Sequence, residues 1–303
     1  MLKIPCDYES LLRDRVLIIT GVGRSGTTIL GKVLGSMHQA YYLFEPAIMK
    51  YWFNPEMQQS AAMLQAILFE DYLLPSIQTR HCNYNPDDWS WVGNYSDLGD
   101  VRWRKKNLGR RAEAIEFVKD KGFYIIKTNE FQPYLEQAKA TLPGMRVIHI
   151  IRNGNAVINS SVSRGWYTDD YMNSTIIDWV EETPDGNVPH CIDDESKALF
   201  SKWTPVTRAA CMWRTLVQEG MRFTADNLDI CYQMKYETFV QNIGIYMEIL
   251  PTKYDLKITK ITEKHIESIR KFQLEPIISM VEQIEDPERG KFVELMDKLG
   301  YSI

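Results

Sequence analysis

The apolar positions of this chain gather in short unbroken runs. Four of them, "VLIIT" (Val16–Thr20), "GFYIIK" (Gly122–Lys127), "RVIHII" (Arg146–Ile151) and "LDICYQMK" (Leu228–Lys235), are bounded by polar or turn-forming residues. Runs of this length predict strands buried on both faces, as in a parallel sheet. A fifth, shorter run covers Tyr41–Phe44. Between the runs, apolar residues recur at helical spacing, predicting helices over Gly26–Met37, Glu130–Leu142, Gly154–Arg164 and Arg208–Asn227. Strand and helix alternate, so the expected fold is α/β, a doubly wound parallel sheet flanked by helices.

The tail from Tyr254 reads as mainly helical, ending in "KFVELMDKLGY". Two stretches keep neither period: Thr79–Arg104, rich in Trp, Asn and Asp, and Gly165–Lys202, acidic and bearing prolines. They read as insertions in a single domain spanning 1–303. Segments of that length in a compact domain are usually lids or substrate-binding elements.

Composition narrows the function. A chain of 303 residues with 45% hydrophobic content can bury a large core. A net charge of −5 argues against a nucleic-acid partner, which demands a basic surplus. Cys6, Cys82, Cys191, Cys211 and Cys231 are scattered, without metal-ligand spacing, and read as free thiols. The start "MLKIPCDYESLLRDR" has no apolar signal region and no run is long enough for a membrane span, so a cytoplasmic protein with no integral membrane segment is expected.

The chemistry begins directly after the first strand. Gly21-Val22-Gly23-Arg24-Ser25-Gly26-Thr27-Thr28 fits the frame of a nucleotide-binding P-loop except at the lysine, where Thr27 stands. A glycine-rich turn opening a helix binds an anion through its amides whatever that residue is. Without the lysine, and with no apolar strand ending in Asp to hold magnesium, a triphosphate kinase or hydrolase is the weaker reading. A second anion site is predicted after "RVIHII", where Arg152 ends a strand and Ser160 and Arg164, four apart, share one helix face. Most arginines only pair on the surface, but this joint spacing suits a ligand with two separate anionic groups.

These motifs resemble the sulfotransferases that use 3′-phosphoadenosine 5′-phosphosulfate (PAPS), most closely the Golgi carbohydrate and tyrosylprotein branches and their bacterial relatives. The family's loop P-R-S-G-T-T or T-R-S-G-S-S holds the 5′-phosphosulfate, and an Arg…Ser…Arg set holds the 3′-phosphate. The resemblance implies that Gly23, Arg24, Ser25, Gly26, Thr27 and Thr28 bind the first group and Arg152, Ser160 and Arg164 the second, with Tyr236 near the adenine. It extends through "HQAYYLFEPAIMK" and "MKYETFV" and leaves both insertions unmatched. Val22-Gly23 stands where Pro is common before the Arg, Gln39 where Pro is usual, and Asn153-Gly154 where Asp-Pro is common.

The implied reaction is in-line transfer of a sulfuryl group to an acceptor hydroxyl, of a glycan or glycolipid first, then of a small alcohol, phenol or peptide tyrosine. Glu45, between a short strand and Pro46, is placed to take the acceptor proton, as the matching Glu does in the resembling branches; His38 is the second candidate base. Lys127 offsets charge on the bridging oxygen or is simply a strand terminus. His149 reads as a core histidine, and Trp89, Trp91 and Trp103 as sugar-stacking or ordinary core residues. Asp169, Asp170, Glu181 and Glu182 read as a solvated face, or else as an acceptor wall that disfavours anionic acceptors. A nucleotide-sensing module without turnover remains the non-enzymatic alternative.

Overall fold

The computed structural model describes residues 7–49, 60–79, 98–119, 122–174 and 179–302. Its strands, in chain order, are β1 Val16–Thr20, β2 Ala40–Phe44, β3 Phe123–Lys127, β4 Arg146–Ile151, β5 Val180–Thr183, β6 Gly186–Pro189 and β7 Cys231–Lys235. Five of them make one sheet in the order β2-β3-β1-β4-β7, with every neighbouring pair parallel. Ile18 of β1 lies opposite Ile126 of β3 and Val147 of β4.

The unbroken apolar runs follow from burial on both faces. Val16 and Ile18 enter one core with Tyr124, Ile126 and Val147, while Leu17 and Ile19 face Leu30, Val33 and Leu34 of the helix Thr27–Gly35. A further cluster joins the helices Gly154–Val162, Pro205–Asp226 and Glu288–Lys298 around Trp213 and Phe292. Arg214 donates from Nε to Glu288 Oε1 at 2.7 Å, fixing the C-terminal helix to the long one. That helix also presses on Gly154, where a Cβ would come within 2.6 Å of Phe292.

Expected bounds shift where local chemistry intervenes. Leu228 is exposed and β7 begins only at Cys231. The helix expected over Glu130–Leu142 starts as a 3-10 turn at Gln132–Tyr134, around Pro133, and becomes α-helical at Leu135–Thr141; Glu130 stands before it at a φ of 60°. The tail is helical at Lys260–Arg270 and Glu288–Lys298. Between them, residues 273–280 are not helical, and Met280 N–H donates to Asn155 Oδ1 at 2.9 Å.

The second insertion has more structure than its sequence pattern promised. β5 and β6 form an antiparallel hairpin, followed by the helix Asp194–Phe200. In the first insertion the described part carries the helix Leu98–Asn107. No helix of the described residues is long and apolar enough to cross a membrane.

Candidate active site

Because the sheet is parallel, the C-terminal ends of its strands meet at one edge, and the strand order reverses around β1. Clefts at such points are where open α/β sheets bind ligands. Gly21 follows β1, Glu45 follows β2, Lys127 closes β3, Arg152 follows β4 and Tyr236 follows β7. The sequence-predicted residues are therefore collected by topology.

The loop after β1 is held open by its glycines. A Cβ on Gly21 would meet Ile150 O at 2.5 Å, and one on Gly26, whose φ is 86°, would meet the Tyr236 ring at 2.3 Å. Arg24 adopts a φ of 71°, an uncommon conformation for a side-chain-bearing residue. Ser25 is fully buried, yet its Oγ has no hydrogen-bond partner among the described residues. The helix that starts at Thr27 has no side-chain cap. Orphaned amides at a helix start beside an orphaned hydroxyl fit a phosphate group.

Arg24 turns from the loop toward the second anion motif. Its Nε donates to Ser160 Oγ at 3.1 Å, and Arg152 donates to the Arg24 carbonyl at 2.8 Å. The Arg152 guanidinium lies 4.8 Å from the Tyr236 ring centroid, and Trp213 Nε1 donates to the Arg152 carbonyl at 3.0 Å. Burial lowers the Arg24 pKa, and the charges of Arg164 and Arg152 lower it further. Among the described residues none of these arginines forms an ion pair with a carboxylate. The two predicted anion sites thus form one cationic wall.

On the other side of the loop lies a chain of polar contacts. Thr27 Oγ1 donates to Asn129 Oδ1 at 2.8 Å, and Asn129 Nδ2 donates to Glu45 Oε1 at 2.6 Å. Lys127 Nζ donates to the same Oε1. Glu45 Oε2 has no hydrogen bond among the described residues, and the side chain is 42% exposed. Lys127 is buried and stacks its ammonium 4.4 Å from the Phe44 ring centroid. Burial lowers its pKa, against the charge of Glu45, which raises it. Glu45 itself sits at a φ of 45°, its N–H donating to Lys127 O at 2.7 Å, so the backbone is strained to put this carboxylate at the edge.

His38 is not part of this group. It precedes β2, at the end of the sheet away from Glu45, is exposed, and its backbone N–H donates to Lys257 O at 2.8 Å. The helix Thr27–Gly35 before it is closed by Ser36, Oγ donating to Val33 O at 2.7 Å. The expectation of His38 as an alternative base is corrected by the direction of β2. His149 is the expected core histidine, with a pKa lowered to about 4 by burial.

Trp103 packs on Phe117, while Trp89, Trp91, Cys6 and Cys82 lie outside the described residues. Cys191, Cys211 and Cys231 are free thiols. Of the acidic face, Asp169 pairs with Arg208 and Glu181 with Lys197. No cluster suited to a metal ion occurs among the described residues.

Three contributors were missed. Asn129 and Glu130 follow β3 directly, and Trp166 opens the second insertion, its ring 3.0 Å from where a Gly23 Cβ would lie. The signal available was position: residues just past the end of a central parallel strand face the cleft.

Residues 17–185 match the family model described as the sulfotransferase family. The fold resembles the sulfotransferase domain of the Synechococcus PCC 7002 olefin synthase, with a TM-score of 0.52 at 13% identity over 96% of each chain. It resembles equally the sulfotransferase domain from the curacin biosynthetic pathway, with a TM-score of 0.52 at 14% identity over 96% of this chain and 99% of that one. Among curated protein sequences none matches. The family match covers more than half of the chain, and the doubly wound parallel sheet agrees with it: this protein is an enzyme of the sulfotransferase family.

Proposed function

We propose that the protein transfers the sulfuryl group of PAPS to a hydroxyl group of an acceptor, with Glu45 as general base. The carrying observation is the cationic wall of Arg24, Arg152 and Arg164, which gathers like charges with no ion pair to a carboxylate among the described residues, beside a loop whose buried Ser25 hydroxyl has no hydrogen-bond partner among them. Such a wall is stabilised by a ligand carrying anionic groups at two points. Arg24, the loop amides, Ser25, Thr27 and Thr28 take the 5′-phosphosulfate; Arg152, Ser160 and Arg164 take the 3′-phosphate. A cavity of about 270 Å³ lined by Ile29, Val33, Tyr236, Val240, Ile269 and Phe272 adjoins the loop helix and suits the adenine.

In this reading the acceptor oxygen attacks sulfur in line as the bond from sulfur to the bridging phosphate oxygen breaks, and adenosine 3′,5′-bisphosphate leaves. The acceptor proton passes to Glu45 Oε2, the oxygen that neither Lys127 nor Asn129 engages. Lys127 is placed to offset the charge that grows on the departing oxygen. The acceptor is a glycan or glycolipid: Trp166 and Tyr171, stacked with centroids 6.1 Å apart beside the loop, offer an aromatic face suited to a sugar ring. The free thiols support a cytoplasmic setting.

The test is to incubate the protein with PAPS and pooled glycans, glycolipids, phenols and peptides and seek the sulfuryl mass increment. In parallel, adenosine 3′,5′-bisphosphate should raise the melting temperature more than ATP with magnesium does. Stronger stabilisation by ATP would overturn the donor assignment. A firm bisphosphate response with no sulfated product from any acceptor class would favour a binding module.

A further inference from the structure

An acidic side chain stands where an anion-binding loop should repel it. Glu130 follows β3, and its backbone N–H donates to Gly21 O at 3.0 Å. Its Oε1 lies 3.2 Å from where a Gly23 Cβ would be, so the carboxyl stands against the backbone of the loop. A side chain at position 23 would crowd both this carboxyl and the Trp166 ring, 3.0 Å away, and a proline there would remove the N–H. Glu130 holds a φ of 60°, so its backbone is strained where it meets the loop.

The groups around this carboxyl are Glu45 and Lys127 at the strand ends, Tyr167, Tyr171 and Cys191 from the second insertion, and the Gly23 amide. Among the described residues that act on it only Lys127 is cationic, and its ammonium is already engaged by Glu45. An ionised Glu130 would put a second negative charge against both Glu45 and the bound donor. Desolvation, with the charge of Glu45 behind it, moves its pKa up to about 7. A carboxyl kept neutral becomes a hydrogen-bond donor, and this one, standing against the loop beside the Glu45–Lys127 pair, can offer its O–H to an anionic group held there.

We propose that Glu130 acts as a neutral acid, its carbonyl oxygen accepting the Gly23 N–H and its O–H donating to a sulfuryl oxygen of the bound donor. It thereby distinguishes the sulfated donor from its bisphosphate product. This rests on the PAPS reading of the site.

The experiment measures the binding of PAPS and of adenosine 3′,5′-bisphosphate to the full chain by calorimetry, for the wild type, E130Q and E130A, between pH 5.5 and about 8.5. E130A should weaken PAPS binding about ten- to a hundredfold and leave the bisphosphate unchanged, which also reports an intact fold. E130Q, which keeps a donor and cannot ionise, should stay within about threefold of the wild type at low pH. Above pH ~7 the wild type should lose PAPS affinity relative to E130Q. Equal losses for both ligands would mean a structural role and overturn the proposal, as would E130Q losing as much as E130A. If the wild type binds neither ligand, the PAPS reading falls and this inference with it.

Discussion

Arg24 of the loop donates to Ser160 of the following anion motif across 3.1 Å, joining groups that lie 136 positions apart in sequence. The loop after β1 and the Arg152, Ser160 and Arg164 set are thus joined directly. Arg24→Ala should weaken adenosine 3′,5′-bisphosphate binding by about ten- to a hundredfold, the loss of one charge-assisted contact. Arg24→Lys should recover only part of this, since an ammonium cannot reach Ser160 and the ligand with a planar fork. Titration calorimetry decides it; full recovery by lysine would show that only charge matters there.

Arg152 and Arg164 should behave differently. Arg164 is exposed, with a guanidinium not engaged by any carboxylate among the described residues, so Arg164→Ala should cut affinity for the 3′,5′-bisphosphate about tenfold while sparing adenosine 5′-phosphate. Arg152 also supports the Arg24 carbonyl and lies over Tyr236, so its loss should weaken both nucleotides. The paired affinities are the measurement. Equal losses for Arg164→Ala would place it outside the 3′-phosphate site.

How much of this was legible in the sequence depends on periodicity and adjacency. β1 and β4 lie where their apolar runs do, because burial on both faces leaves no ambiguity of phase. Of Arg152, Ser160 and Arg164 only Ser160 lies on a helix: the helix expected over Gly154–Arg164 ends at Val162, and Arg164 stands in the turn beyond its cap Ser163, so the shared helix face expected for Ser160 and Arg164 is corrected. The hairpin β5–β6 was not, since its strands are half-buried with few apolar residues, although Pro184-Asp185-Gly186 is a turn signal. His38 and Glu45, the second and first candidates for the base, flank the same strand, and the direction of β2 puts them at opposite ends of the sheet. Glu130 hid inside an expected helix, and its meaning comes from Gly23, over a hundred positions away.

His149 should set an acid limb of stability. Its ring is fully buried, Nε2 has no partner, and Nδ1 lies 3.4 Å from Gln233 Oε1. The folded pKa is about 4, against 6.5 for a free imidazole, so between those values the unfolded chain takes up a proton that the folded chain refuses. Stability contributed by the neutral ring is present above pH 6.5 and drains away as pH falls to about 4, by about 3 kcal/mol in full. Urea unfolding of His149→Leu should show a shallower loss across that window than the wild type. Parallel curves would refute the assignment.

Glu130 should act with the opposite sign. Its folded pKa lies near 7 and the free carboxyl near 4.5, so the folded chain keeps a proton that the unfolded chain releases. Stability should therefore decline as pH rises from about 4.5 to 7, and Glu130→Gln should gain relative to the wild type over that range. An unchanged difference between the two across the range would show that Glu130 is ionised in the fold.

The chemistry at Glu45 gives the last test. Two donors hold Oε1, from Lys127 and Asn129, and Asn129 also accepts from Thr27, so the carboxylate is oriented by the loop after β1. Glu45→Gln keeps the size and the acceptor oxygen for those donors but cannot take a proton. It should leave bisphosphate binding within about twofold and lower kcat by roughly 10²–10⁴ on an acceptor that the wild type sulfates. Asn129→Ala should lower kcat less, by loosening the carboxylate without removing it. His38→Ala, at the far end of β2, should change neither quantity. If Glu45→Gln turns over normally while Lys127→Ala is inactive, the proton leaves by another route and Glu45 serves to hold the lysine; if His38→Ala is the inactive variant, the sheet edge described here is not where the acceptor reacts.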